Sequence, residues 1–358
     1  MLYALVILVA LSKGPLISLQ SILLGFVGLV VLILAISSLA RNIKLVDEAD
    51  ENDVRKKHKG AIPLIGGLVL FISIIYGASV FGVDSFYFYV IISLFPIIFI
   101  GTLDGLESIT LPISIRIIAQ ILASWFVILS TDIYIRDLGN LFGQGQVELN
   151  GFGIPFTIFA VVGVCNAFNM LDGKDGLTGS VSIVVISCLL ALLYLNDIIF
   201  NLGLILIASL LVFLVFNLNL LGSKQKIFLG DHGSNGLGHI IAWILVFLSQ
   251  EPKALITPIS AVWFIFLPVT DAIMTIYRRF KSSKSILLAD NEHFHHILHN
   301  LGLSDRKVLL SVIIISVVSG VIATVSNYFS LKEYNLFFGY VTVLIILILA
   351  TNKNKKIT

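Results

Sequence analysis

The chemistry-bearing residues of this chain lie in short polar interruptions between hydrocarbon-soluble runs. The stretch from Asn166 to Gly179, NAFNMLDGKDGLTG, holds two asparagines and two aspartates that a lipid-buried helix does not need. Asp172 and Asp175 stand three apart. On a helix they would share a face, and in a turn Gly173 and Gly176 would let the backbone approach a ligand. The stretch is either a polar loop joining two membrane helices or a membrane-edge site for a metal or a phosphate. Asp104, in IGTLDGLESITLPISIR, falls where a helix leaves the membrane. There it is either solvated and inert or, beside other carboxylates, able to hold a cation or accept a proton. Asp231 lies in KIFLGDHGSNGLG, among glycines that permit a tight turn and just ahead of an apolar run. It reads as a helix N-cap or as a Mg²⁺ ligand beside a phosphate, since Mg²⁺ is held by one or two carboxylates plus the substrate's phosphates.

Two further groups are basic. RKKHKGAIPLIGG, from Arg55 to Gly67, puts Lys57, His58 and Lys59 beside a membrane helix, where they attract anionic headgroups and fix topology or else meet the phosphates of a ligand. In YRRFKSSKSILLADNEHFHHILHNLG, His293 and His296 are three apart and His295 and His299 four apart. Zinc is disfavoured because no cysteine and no HExxH accompany them. Arg278, Arg279 and the histidines read better as a clamp on a diphosphate.

The elements that position these residues follow from composition. Of 358 residues 58% are hydrophobic and 12% charged, with a mean hydropathy of +1.02, whereas soluble domains carry about 25% charged residues. The fold class is therefore all-α, polytopic, in a membrane. Apolar runs occur at 16–40, 61–82, 86–103, 113–132, 154–171, 178–195, 198–218, 233–249, 254–277, 308–328 and 335–351, giving about 10–11 transmembrane helices in one integral membrane domain. Residues 1–12 extend the first helix or lie in the interface, and they show no cleavable signal pattern. Segment 133–153 reads as a short hairpin or interfacial cap. Cys165 and Cys188 read as small core residues.

With eleven helices, nineteen of the 23 basic residues fall on one side, so the positive-inside rule puts the C-terminus and the polar motifs in the cytoplasm. Four carboxylates, a histidine cluster and paired arginines would then meet at a cleft on one membrane face, as metal-assisted phosphoryl transfer to a lipid requires. A net charge of +2 gives no basic stripe for nucleic acid. A transporter or flippase would set its polar residues at mid-bilayer on broken helices, which the loop positions disfavour.

On RKKHKGAIPLIGG, NAFNMLDGKDGLTG, FLGDHGSNGLG and the run from Pro268 and Asp271 through YRR to DNEHFHH, the chain resembles the polyprenyl-phosphate N-acetylhexosaminyl-1-phosphate transferase superfamily, its WecA/TagO branch more than its MraY branch. The resemblance covers about residues 40–310. It implies transfer of an N-acetylhexosamine 1-phosphate from a UDP-sugar, UDP-N-acetylglucosamine first, to undecaprenyl phosphate, with UMP released and Mg²⁺ or Mn²⁺ required. The product would begin a cell-envelope glycan such as O-antigen, enterobacterial common antigen or teichoic acid, in the bacterial inner membrane. A homodimer is compatible with it. By matched position the catalytic set is Asp104, Asp172, Asp175 and Asp231, with Asp231 and Asp172 at the metal. Asp104 corresponds to the first aspartate of an Asp-Asp pair that handles the lipid phosphate. Lys57, His58, Asn166, Asn169, Arg279, His293, His295 and His296 are the implied substrate-binding residues.

The chain departs from the pattern at Gly105, where the second aspartate of that pair is expected, with Glu107 two residues on as the substitute. The alternative this raises is a catalytically impaired member that binds UDP-sugar or lipid phosphate. Smaller departures are His232, Asn235, Gly236 and Ala289.

Overall fold

The computed structural model describes residues 19–48, 60–106, 108–109, 111–282 and 293–354. Lys57, His58, Glu107 and Ala289 lie outside the described residues, as does the segment 1–12.

Each predicted apolar run carries helix. In chain order these are α1 Leu19–Asn42, α2 Gly66–Phe81, α3 Ser85–Asp104, α4 Ile113–Thr131, α5 Gly153–Leu171, α6 Leu177–Leu195, α7 Asn201–Asn217 and α8 Asp231–Ser249. Then follow α9 Pro258–Phe264, α10 Phe266–Lys281, the short α11 Phe294–Asn300, α12 Asp305–Tyr328 and α13 Glu333–Asn354. In hydrocarbon every backbone N–H and C=O must be satisfied within its own segment, and a helix does this.

Among the described residues, six helices are long and apolar enough to cross a membrane: α3, α4, α5 with its preceding turn, α6, α12 and α13. The pair α9 and α10 makes a seventh if its two halves form one span, and parts of α1, α2 and α7 are shorter apolar helices. The run predicted as one helix over 254–277 is bent by 87°. The break at Ile265 has a cause in Pro268, which has no N–H to offer the Phe264 carbonyl four residues back.

The chain packs as two units, Met1–Ala119 with Leu189–Gly236, and Gln120–Cys188 with Leu237–Thr358. In the first, α2 packs on α7 and on α3, and α1 lies against α2 and α7. A small sheet sits at the start of α2, where β1 (Val46–Asp47) pairs antiparallel with β2 (Ile62–Pro63). Leu64 bridges in parallel to Phe228, and the amides of Gly66 and Gly67 donate to the Phe228 and Leu229 carbonyls at 2.9 Å. This ladder delivers the chain at Gly230, with φ +75°, directly into α8.

In the second unit α5 packs along α10, α9 and α10 lie against α12, and α11 lies on α12. The 133–153 segment does form a hairpin, with an Asp137–Glu148 bridge, the Leu138 amide donating to Val147 O and the Val147 amide to Gly139 O. Buried Gln250 fastens it by accepting from Arg136 N at 2.8 Å. Cys165 and Cys188 are free thiols.

Candidate functional site

In the first unit, three charged side chains meet. Asp104 ends α3, and its Oδ1 accepts from Leu111 N at 2.9 Å, which closes the loop back toward α4. Arg116, one turn into α4, brings its guanidinium between two carboxylates: Nη1 lies 3.4 Å from Asp104 Oδ2 and also bonds Asp231 Oδ2. Asp231 opens α8, where the helix dipole favours its charge. The sequence reading offered it as a cap preceding the helix; it is instead the first helical residue. The Asp104 side chain is 16% exposed and that of Asp231 42%, so Asp231 is the more accessible carboxylate to a ligand.

The start of α8 is held in place by small neighbours. A Cβ on Gly67 would lie 2.4 Å from the Gly233 backbone and from the His232 ring, and one on Gly101 would lie 2.7 Å from His232. Only hydrogen at these positions lets α2 and α3 close on the turn that carries Asp231. Buried His232 is thereby a packing residue.

Gly105 has φ −78° and ψ −9°, a conformation open to any residue. A Cβ there would meet Leu45 at 3.0 Å and Leu64 at 3.5 Å, so position 105 is oriented toward leucines.

In the second unit the NAFNMLDGKDGLTG stretch resolves the choice between helix and turn. Helix α5 ends at Leu171, Asp172 caps it with its amide donating to Asn169 O at 3.1 Å, and α6 begins at Leu177. Gly176 has φ +77°, which a side chain would strain. Asp172 and Asp175 therefore sit in a tight turn. Asn166, implied as substrate-binding, lies six residues back in α5 from Asp172 and donates to Gln120 Oε1 at 2.9 Å and Val162 O at 2.7 Å, a helix-to-helix tie.

The turn and the histidine segment touch. A Cβ on Gly173 would lie 2.5 Å from His295 Nε2, and His295 is 1% exposed. Its ring centre lies 4.2 Å from that of His296, tilted by 42°, and stacks on His293 at 5.9 Å. Lys174 of the same turn bonds Asp305 at the head of α12, whose Oδ1 also lies 2.6 Å from His299 Nε2. Burial, with His296, His293 and Lys174 beside it, pushes the His295 imidazole down to about 3. His296 is lowered too, by burial first and then by His293 and Lys174. Both rings are neutral at pH 7, so in this group the fixed positive charge is carried by Lys174, Arg278 and Arg279.

On α10, Asp271, Thr275, Arg278 and Arg279 share one buried face, the i, i+4, i+7, i+8 stripe of a helix. Asp271 is 3% exposed. Its Oδ1 accepts from Phe294 N at 2.7 Å, and its Oδ2 lies 3.2 Å from His293 Nδ1.

The sequence reading of chemistry-bearing residues missed Arg116, Lys174 and the contacts of Asp271. Asp271 had a usable signal in its helical spacing to Arg278. Arg116 had none, since a lone arginine at a helix start looks like an interfacial anchor. Among the described residues no group of three or more His, Cys, Asp or Glu side chains could hold a metal ion alone. Two carboxylates converging on one cationic group, as Asp104 and Asp231 do on Arg116, are a donor set that suits Mg²⁺ when substrate oxygens and water complete its shell.

The chain matches glycosyl transferase family 4 over residues 87–249. It is 31% identical over 318 residues to the undecaprenyl-phosphate alpha-N-acetylglucosaminyl 1-phosphate transferase of Escherichia coli (strain K12), which spans 86% of this chain and 82% of that protein. The protein of the same name from Yersinia pestis is 31% identical over 284 residues, covering 78% of this chain and 76% of its own. That of Haemophilus influenzae is 32% identical over 324 residues, covering 89% and 90%.

Proposed function

The chain belongs to glycosyl transferase family 4 and is a multi-pass membrane transferase, and from that premise we propose that it transfers N-acetylhexosamine 1-phosphate from a UDP-sugar to undecaprenyl phosphate. The names of the relatives favour N-acetylglucosamine as the sugar. The charge asymmetry of the loops favours an inner-membrane enzyme, built as one integral membrane domain with its C-terminus and active residues in the cytoplasm. The product would start a cell-envelope glycan.

The observation that supports this reading most is the guanidinium of Arg116 held by Asp104 and Asp231. Donor and acceptor are both phosphates and repel one another, so the protein's work is neutralisation and alignment. The reaction is a single displacement. An oxygen of the lipid phosphate bonds to the β-phosphorus of the UDP-sugar, the bond from that phosphorus to the bridging oxygen breaks, and UMP leaves with the oxygen and its electron pair. Arg116 is the cation that keeps Asp104 and Asp231 from repelling each other before substrate arrives, and its planar fork can turn to a phosphate. Asp231, beside Asp104, is the proposed holder of Mg²⁺ or Mn²⁺, which when bound would supply charge neutralisation for the departing UMP. Asp175 and Asn169 orient the nucleotide beside Asp172. Arg279 supplies charge to the diphosphate, while His295 and His296, being neutral, act there as hydrogen-bonding rings.

Purified protein given undecaprenyl phosphate, radiolabelled UDP-N-acetylglucosamine and Mg²⁺ should yield labelled lipid and stoichiometric UMP. Absence of both, across a panel of UDP-sugars, overturns the reading. Donor binding without turnover would instead favour the impaired relative that Gly105 raises.

A further inference from the structure

The geometry points to Asp271 as a positioning residue that sets the ring orientation and tautomer of His293 for donor binding. This rests on the transferase reading above. A buried carboxylate is costly unless paired, and Asp271 spends its two oxygens on two adjacent residues: Oδ1 accepts from the Phe294 amide that opens α11, and Oδ2 faces His293 Nδ1 at 3.2 Å. His293 is the N-cap of α11, yet its own side chain makes no capping bond, so the carboxylate from α10 supplies that cap. A carboxylate only accepts, so the ring proton opposite it resides on Nδ1. Thr275 Oγ1, 3.4 Å from the same nitrogen, accepts from Arg278 Nη2 at 3.1 Å and thereby lies on the same network. With Nδ1 committed, Nε2 is the atom His293 has left for a ligand. Outer partners that fix the tautomer of metal-bound histidines change function by about 10–100-fold when removed, and the same order is expected here.

The alternative is a cap and nothing more, and Asp271→Asn separates the two. An asparagine can still accept from Phe294 N–H through its carbonyl oxygen, so the helix start survives. Its NH₂ then faces Nδ1 as a donor, which forces the ring proton to Nε2. The first measurement is ¹⁵N spectroscopy of histidine-labelled protein in detergent, with His293 assigned by its loss in His293→Ala. The Nδ1-protonated form is expected in the wild type and the Nε2-protonated form in Asp271→Asn. The second measurement is kinetic. Asp271→Asn should melt with the wild type, lose at least tenfold in kcat/KM for the UDP-sugar and keep its KM for lipid. Combined with His293→Ala it should be no slower than His293→Ala alone, the non-additivity of residues that act as a unit. A wild-type His293 protonated on Nε2, or single losses that multiply in the double variant, overturns the positioning role. A wild type that forms no UMP overturns the transferase reading instead, and the spectra tell the two failures apart.

Discussion

His295 and Gly173 are in contact closely enough that no side chain fits between them: a Cβ on Gly173 would lie 2.5 Å from Nε2 and 2.7 Å from Cε1 of the ring. The ring is nearly fully buried and cannot swing aside, so even a methyl group forces the aspartate turn and the histidine segment apart. Gly173→Ala should cost about 1–3 kcal/mol, the usual range for overpacking, and reduce UMP release by more than tenfold. Thermal melting in detergent together with a UMP assay checks this. Wild-type values in both would show that the turn and the ring separate without consequence.

The same histidine should make the protein acid-labile. Its folded pKa is lowered from 6.5 to about 3 by burial, and then by His296 and His293. Between those values the unfolded chain binds a proton that the folded chain refuses, so stability falls as pH drops through that window and is unaffected by this group above it. The slope approaches about 1.4 kcal/mol per pH unit for one proton. Melting temperatures at pH 7.5, 6 and 5 should decline for the wild type and decline less steeply for His295→Gln. Parallel curves for the two would remove His295 as the cause.

The apolar runs were legible in the sequence because hydrocarbon leaves the backbone no choice but helix, and all of them carry helix. The bend at Ile265 was not read, although Pro268 announces it, because an unbroken apolar run hides a missing N–H. Asp172 and Asp175 were legible as polar residues without a lipid role, and Gly176 at φ +77° decides that they sit in a turn. Partnerships were not legible. The bonds from Arg116 to Asp231 and from Asp271 to His293 join residues far apart in sequence, and no local period encodes such a meeting. Asn166 shows the converse, since its side chain is occupied by Gln120 and Val162.

Asp231→Asn tests the proposed metal ligand with little disturbance of the fold. Asparagine has nearly the size and shape of aspartate at this first helical position, and the Gly67 and Gly101 contacts that locate the turn are untouched. Activity should drop by at least about 100-fold while melting stays within about 2 °C of wild type, no more than about 1.5 kcal/mol for a chain of this size. Near-normal turnover would refute a metal role for Asp231.

Arg116 shields two carboxylates and therefore competes with any dication that Asp231 binds. Arg116→Met removes the positive charge and leaves Asp104 and Asp231 to repel each other. The concentration of Mg²⁺ giving half-maximal activity should fall, while the maximal rate falls by about 10–1000-fold for want of a phosphate-directed cation. Arg116→Lys, which keeps the charge but not the fork, should restore the Mg²⁺ requirement better than the rate. A titration of UMP release against Mg²⁺ for the three proteins reads both effects. An unchanged half-maximal concentration in Arg116→Met would mean that guanidinium and metal do not share a site.

Gly105 is the position where the resemblance expects a second aspartate, and the backbone there would accept one. The surroundings are less permissive, because the Cβ would press Leu45 at 3.0 Å and lie 3.5 Å from Leu64. Restoring the carboxylate places a charge beside two leucines. Gly105→Asp should therefore destabilise the protein by about 1–3 kcal/mol and raise turnover by less than about twofold, which corresponds to under half a kcal/mol in the barrier. If Asp104 with Arg116 suffices to handle the lipid phosphate, the wild type is already active and has nothing to regain from the substitution. A large gain in lipid product from Gly105→Asp would show the opposite, that the missing carboxylate limits catalysis and that the leucines yield to admit it.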